Sequence, residues 1–294
     1  MRGRLEATSY LCRRVGLALS TASVLEASVP KPGNASPSQD VEGVRYTDVV
    51  LSALVMEPKY REACLRGARR SPTLMDLLHE GVKGTERFSI LGTALLLLPL
   101  AYSSPGSEDV RDLTMRAGQL VRTLSQEDWK WFRKVLLEIS PSYLGREDRM
   151  DYREENLRMG EVLQWSTNVD EVSREMVRGY PLSMEVYRIL KRGECGSFVK
   201  DVQSAFIYLL SVEPDGLIVR KRGGRVALQV SKMASKLSKC PKDEELEAFN
   251  SYLKERGLNP GSTADLIASG IALYELEPIL DTNVRSTLPG RCDR

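Results

Sequence analysis

Apolar residues recur with a helical period along almost the whole chain, and the apolar-polar alternation that a half-buried strand needs is nearly absent. Leu5, Leu11, Val15, Leu17, Leu19 and Val24 mark a first helix over about 5–27, stopped by the proline and glycine that follow. Further helices are expected near 46–57, 72–80, 88–102, 108–124, 126–138, 168–178, 182–191, 198–211, 225–238, 243–256 and 263–279, divided by Pro, Gly and Ser. The pattern predicts an all-α fold: one compact multi-helix domain over 1–294, with functional loops at helix ends.

The exception is 217–230, where two apolar, β-branched stretches flank Gly223-Gly224 and mark a candidate hairpin in an otherwise helical chain. Residues 140–165 are the least helical and are expected to be a functional loop region. The longest apolar run, 90–102, is about a dozen residues with Pro99 inside it, short of the roughly 20 that span a bilayer. It reads as a buried core helix. Charges at Arg2, Arg4, Glu6, Arg13 and Arg14 break the N-terminal segment, so no secretion signal is expected.

A 294-residue chain with 42% apolar residues is large enough for a substantial core and is expected to fold without covalent staples. Its 42 basic and 40 acidic residues leave a net charge of +2. No global field recruits nucleic acid or an anionic membrane, so attraction for phosphate must be local. Cys12, Cys64, Cys195, Cys240 and Cys292 are odd in number, scattered, and without zinc or redox spacing, which points to a reducing cytoplasm. His79 is the one histidine, in an ordinary helical stretch, which excludes a His-based relay or zinc hydrolase.

Four segments could carry chemistry. In Pro30-Lys31-Pro32-Gly33-Asn34, Pro32 fixes φ and Gly33 can take positive φ, suiting a type II turn that holds Lys31 and free amides at a helix end and could grip phosphate; a helix followed by a Pro-Gly stop is the commoner explanation of such a segment. In 214–224, Asp215 and the run Arg220-Lys221-Arg222 lie beside two glycines and could grip a triphosphate, or form a solvated basic loop. In 259–266, Ser262 and Asp265 have the spacing of a variant capping box, yet a carboxylate in a first helical turn can also hold Mg²⁺ or a ribose hydroxyl. Thr167 and Asp170 repeat that capping spacing, with Glu175 further along the helix.

Taken in order, 26–34, 91–101 (LGTALLLLPLA), 170–180, 214–224 (PDGLIVRKRGG) and 259–266 (NPGSTADL) resemble the ATP:dephospho-CoA triphosphoribosyltransferase family, also called triphosphoribosyl-dephospho-CoA synthases. The resemblance implies an all-α fold and a reaction in which a ribose hydroxyl of dephospho-CoA attacks the anomeric carbon of ATP. Adenine leaves and the triphosphate is kept. Such a displacement calls for carboxylates near the sugar, with Mg²⁺ and cations on the phosphates.

On that resemblance Lys31, Arg220 and Lys221 are assigned to phosphate, Asp215 and Asp265 to metal or ribose, and Glu26 to general-base work. Gly33, Asn34, Asn259, Ser262 and Thr263 complete the nucleotide-binding set. The chain departs from the family at Ser38-Gln39-Asp40-Val41, where a His-Asp segment is usual, and at Phe88-Ser89-Ile90-Leu91-Gly92, where Asn-Thr-Asn-Leu-Gly is usual. Gly216 replaces the threonine of a PDT pattern, and Ser262 replaces a threonine but keeps the hydroxyl. Three readings follow: the family transfer, with dephospho-CoA or another acceptor; a catalytically weakened nucleotide-binding or protein-interaction relative; and a purely structural helical module.

Overall fold

The computed structural model describes residues 2–287 except 42, 72, 142–144, 146 and 147, with side chains from 6 to 281. Among the described residues there are fourteen α-helices and no strand: α1 (Arg2–Ser28), α2 (Tyr46–Arg69), α3 (Met75–Lys83), α4 (Leu91–Ser103), α5 (Val110–Thr123), α6 (Gln126–Ile139), α7 (Met159–Ser166), α8 (Glu171–Val177), α9 (Pro181–Arg192), α10 (Phe198–Val212), α11 (Gly216–Arg222), α12 (Gly224–Ala234), α13 (Asp243–Glu255) and α14 (Gly261–Thr287).

The helix at the centre is α4. Leu96, Leu97, Leu98 and Leu100 are fully buried, so its surface has no solvated face. It packs on α2, α5 and α14, while α1 lies along α2 and α14. No single described helix is long and apolar enough to cross a membrane.

Carboxylates start many of these helices, because the first-turn amides have no intrahelical acceptor. Asp109 accepts from the Asp112 amide at 2.7 Å to start α5, and Ser125 and Asp128 form a capping box on α6. The same Asp128 reaches the Leu74 amide at 2.8 Å and the Met75 amide at 3.2 Å, joining α6 to the start of α3. Glu175 holds the amides of Leu182 and Ser183 at the start of α9.

Several boundaries differ from the sequence reading. The second helix does not stop near residue 57 but runs through Pro58 to Arg69. A proline costs one interior amide, and the burial of Tyr60, Ala63 and Cys64 beyond it offsets that cost. Within the expected loop region, 159–166 is helix α7. The candidate hairpin is two helices, α11 and α12, with Gly223 at φ 87° as the break. Gly223 acts as a helix terminator there, and Arg220, Lys221 and Arg222 occupy the last turn of α11, where cations suit the helix dipole.

The expectation of unlinked cysteines is overturned. Cys12 and Cys64 form a disulfide between α1 and α2, and Cys195 and Cys240 form another between the loops before α10 and α13. The sequence separations, 52 and 45 residues, lie far outside any local motif, so spacing gave no signal. The inference of a reducing compartment rested on free thiols and loses that support. Cys292 lies outside the described residues.

Candidate active site

The turn after α1 has the shape the sequence implies. The Asn34 amide donates to the Lys31 carbonyl at 3.1 Å and Gly33 sits at φ 75°, as the third residue of a type II turn requires. A β-carbon at Gly33 would lie 2.8 Å from the Leu258 carbonyl oxygen and 2.9 Å from Pro260, so glycine is needed for space as well as for φ. Asn250 of α13 accepts from the Gly33 amide at 2.9 Å and exchanges hydrogen bonds with Gln39, which in turn donates to the Asn34 carbonyl at 3.0 Å. The turn is thereby clamped from behind.

Asn34 donates to Asn259 Oδ1 at 3.0 Å and to the Pro260 carbonyl at 3.3 Å, which brings the turn against the start of α14. Asp265, in the second turn of α14, reaches across to α4: its Oδ1 accepts from the Thr93 amide at 2.9 Å and the Thr93 hydroxyl at 2.6 Å. A side chain at Gly92 would collide with the Asp265 carboxylate, so the glycine of LGT makes room for this contact.

These contacts bring the end of α1 and the starts of α4 and α14 around one cavity of about 370 Å³. The N-terminal ends of two long helices open on it, and such ends favour anions. Its polar wall contains Glu26, Asn34, Asn259, Ser262 and Asp265, with Arg220 and Lys221 on the α11 side. Phe88, Ile90, Val41, Val44 and Ile139 form an apolar wall. Cations and carboxylates therefore line the same hollow, as a phosphorylated sugar would require.

Arg220 is oriented by two neighbours. It donates to Asp170 Oδ1 at 2.7 Å and to the Ser262 hydroxyl at 3.2 Å. Asp170 is also the cap of α8, accepting from the Ser173 amide at 2.7 Å, so the real cap lies three residues beyond Thr167. Lys221 is exposed at the cavity and makes no ion pair among the described residues.

Three sequence assignments land elsewhere. Lys31 does not line this cavity. Its buried ammonium turns inward, pairs with Glu26 at 3.0 Å, and donates to the Val29 carbonyl at 2.8 Å and the Glu26 carbonyl, closing the end of α1. Asp215 lies beneath the cavity wall, fully buried. One oxygen takes the Ile218 amide at 2.9 Å, and the other takes the Thr263 amide at 2.8 Å and hydroxyl at 2.9 Å. It ties α11 to α14, and Thr263 is its partner in that tie. Ser262 and Asp265 form no local capping box, since their groups face Arg220 and Thr93.

Electrostatics singles out Asp265. Burial, reinforced by the charges of Glu26 and Asp215, pushes its carboxyl up to about 7 against the pull of the Thr93 hydrogen bonds. Below the cavity, burial raises Glu171 well above the usual carboxylate range, with the Asp215 charge adding to it. Glu171 accepts from the Gly216 amide at 2.9 Å. Sequence reasoning marked the segment holding Asp170 and Glu171 without assigning either a site role, and it missed Thr93 and Asn250, because each acts through a partner on another helix. The one available signal was the threonine inside the LGTALLLLPLA segment.

Comparison with known proteins shows the family and the fold. The family model described as CitG, ATP:dephospho-CoA triphosphoribosyl transferase, matches residues 12–283. A crystal structure of a candidate triphosphoribosyl-dephospho-CoA synthase from Archaeoglobus fulgidus superposes with a TM-score of 0.61 at 25% identity, covering 75% of this chain and 97% of that one. Among curated proteins, none matches.

Proposed function

The chain belongs to the ATP:dephospho-CoA triphosphoribosyl transferase family, and from that premise we propose that its cavity transfers the triphosphoribosyl group of ATP to a ribose hydroxyl of dephospho-CoA. The observation that carries this reading is the cavity itself. It sets Arg220 and Lys221 on one side and Glu26 and Asp265 on the other, between the starts of two helices.

In this reading the triphosphate lies toward Arg220, Lys221 and the helix starts, with the ATP ribose between it and the carboxylates. The acceptor hydroxyl forms a bond to the anomeric carbon as the bond from that carbon to adenine breaks. Adenine keeps the electron pair and takes up a proton from solvent water, and the proton of the attacking hydroxyl is returned to solvent through the base. Asp265 is the better placed base for the hydroxyl proton, because its carboxyl titrates near neutral pH and its Oδ2 makes no hydrogen bond among the described residues. Glu26, paired with Lys31, faces the positive charge that builds on the ribose.

Mg²⁺ fits the donor set. Glu26 would supply a hard carboxylate oxygen, and the Oδ1 of buried Asn34 has no hydrogen-bond partner, while the free oxygen of Asp265 is kept for the acceptor's proton. The ion would share these groups with phosphate oxygens and neutralise their charge.

One observation favours a changed acceptor as the second reading. Phe88 and Ile90 give the cavity an apolar wall where the family pattern carries polar residues. The deciding experiment is adenine release from ATP and Mg²⁺, with and without dephospho-CoA, in the protein and in Asp265→Asn. Release that depends on dephospho-CoA and falls about 10² to 10⁴-fold in the variant supports the transfer. Binding of ATP without release points to another acceptor.

A further inference from the structure

A second cavity, about 430 Å³, lies on the opposite side of the turn that walls the candidate active site. Asn34 and Ala35 face the first cavity, whereas Pro30, Pro32, Ser36 and Gln39 face the second. Its other wall is a stripe of α13 at helical spacing, Asp243, Leu246, Glu247, Asn250, Ser251 and Lys254. That face of α13 borders open space and carries mainly polar groups.

At this cavity stands Gln203 of α10, only 6% exposed. Its amide nitrogen is fixed as a donor to the Pro30 carbonyl at 2.9 Å, so the amide cannot be turned over without losing that bond. Its Oε1 is buried and accepts no hydrogen bond. On the turn side of the cleft the Lys31 ammonium is engaged on Glu26 and Val29, and the amides of Gln39 and Asn250 with each other and with the turn. A buried acceptor without a donor is costly, and a ligand carrying N–H or O–H groups satisfies it.

We propose that this cleft binds the amide- and hydroxyl-bearing arm of the acceptor, with Gln203 Oε1 accepting a hydrogen bond from it. The inference rests on the transfer reading. Dephospho-CoA joins a reactive adenosine end to a long pantetheine chain with two amide N–H groups and one free hydroxyl, the donors that Gln203 lacks. The two cavities have the turn as a common wall, and the proposal requires one extended molecule to pass over it with an end in each. Occupancy is felt at the site through Asn250, which lines the cleft and holds the Gly33 amide. Gln203 and Ser251, which do not line the ATP cavity, are thereby specificity-determining for the acceptor.

The test uses full-length protein and S-methylpantetheine, whose blocked sulfur cannot exchange with the disulfides. Titration calorimetry with this probe is run on the wild type, Gln203→Leu and Ser251→Trp. The second variant fills the cleft from an exposed position on α13 and leaves the core untouched. The wild type is expected to bind, and each variant to bind about tenfold more weakly, the worth of one neutral hydrogen bond at its upper range. In adenine-release kinetics, KM for dephospho-CoA rises by a similar factor and KM for ATP stays level. No binding in the wild type, or equal binding in all three proteins, overturns the proposal. Probe binding that both variants weaken, in a protein that releases no adenine, keeps the cleft and removes the transfer reading. Adenine release with KM for dephospho-CoA unchanged in both variants does the reverse.

Discussion

Asp265→Asn is expected to stabilise the protein at alkaline pH while abolishing its activity. In the folded chain the Asp265 carboxyl keeps its proton up to about pH 7, against a reference value of 3.8. Between these pH values the folded state holds a proton that the unfolded state has released, so stability falls as pH rises through the window and levels off above about 7. Roughly three pH units at about 1.4 kcal/mol each give a loss of about 4 kcal/mol from this one group. Asparagine stays neutral throughout, and its Oδ1 still accepts from Thr93. The variant and the wild type should therefore melt together near pH 4 and separate by up to about 8 °C at pH 8, taking about 2 °C per kcal/mol for a chain of this size. Scanning calorimetry of ligand-free, chelator-treated protein at both pH values reads this difference; titrating groups remote from Asp265 cancel between the two proteins, and Glu26 and Asp215, whose charges act on it, add a smaller correction. A melting difference that does not change with pH would refute the buried, proton-holding carboxylate.

Arg220→Lys keeps the charge but cannot reach Asp170 and Ser262 together, so KM for ATP should rise about tenfold with kcat little changed in steady-state adenine release. Lys31→Ala should cost about 3 to 5 kcal/mol in denaturant unfolding, because it strands the buried Glu26 carboxylate; a loss of less than about 1 kcal/mol would count against the buried pair. Replacing Cys195 and Cys240 by serine opens a 45-residue loop and should lower stability by about 4 kcal/mol on the loop-entropy estimate; identical unfolding with and without a dithiol reductant would count against the disulfide.

The residues legible in the sequence are those whose job is local. The unbroken apolar run of α4 needed no partner to be read as a buried core helix, and the Pro32-Gly33 pair fixed a turn by its own φ preferences. What sequence could not show is which distant group each polar side chain would find. Lys31 looks like a phosphate ligand until Glu26, five residues earlier, folds back onto it. Asp215 looks available until the amides of Ile218 and Thr263 saturate it, and Asp265 looks like a cap until Thr93, 172 residues away, takes its oxygen. The glycine pair at 223 and 224 carries the same local signal in a hairpin and between two helices, and packing of α11 against α14 decides which forms.

The central claim is that the ribose and three phosphates of ATP leave together for an acceptor. The most direct measurement is mass spectrometry of the products from dephospho-CoA and ATP labelled in its ribose carbons, with Mg²⁺ present. The account predicts a dephospho-CoA derivative heavier by one labelled ribose and three phosphates, together with unlabelled free adenine. Unchanged dephospho-CoA, with the label remaining in adenine nucleotides, would contradict it.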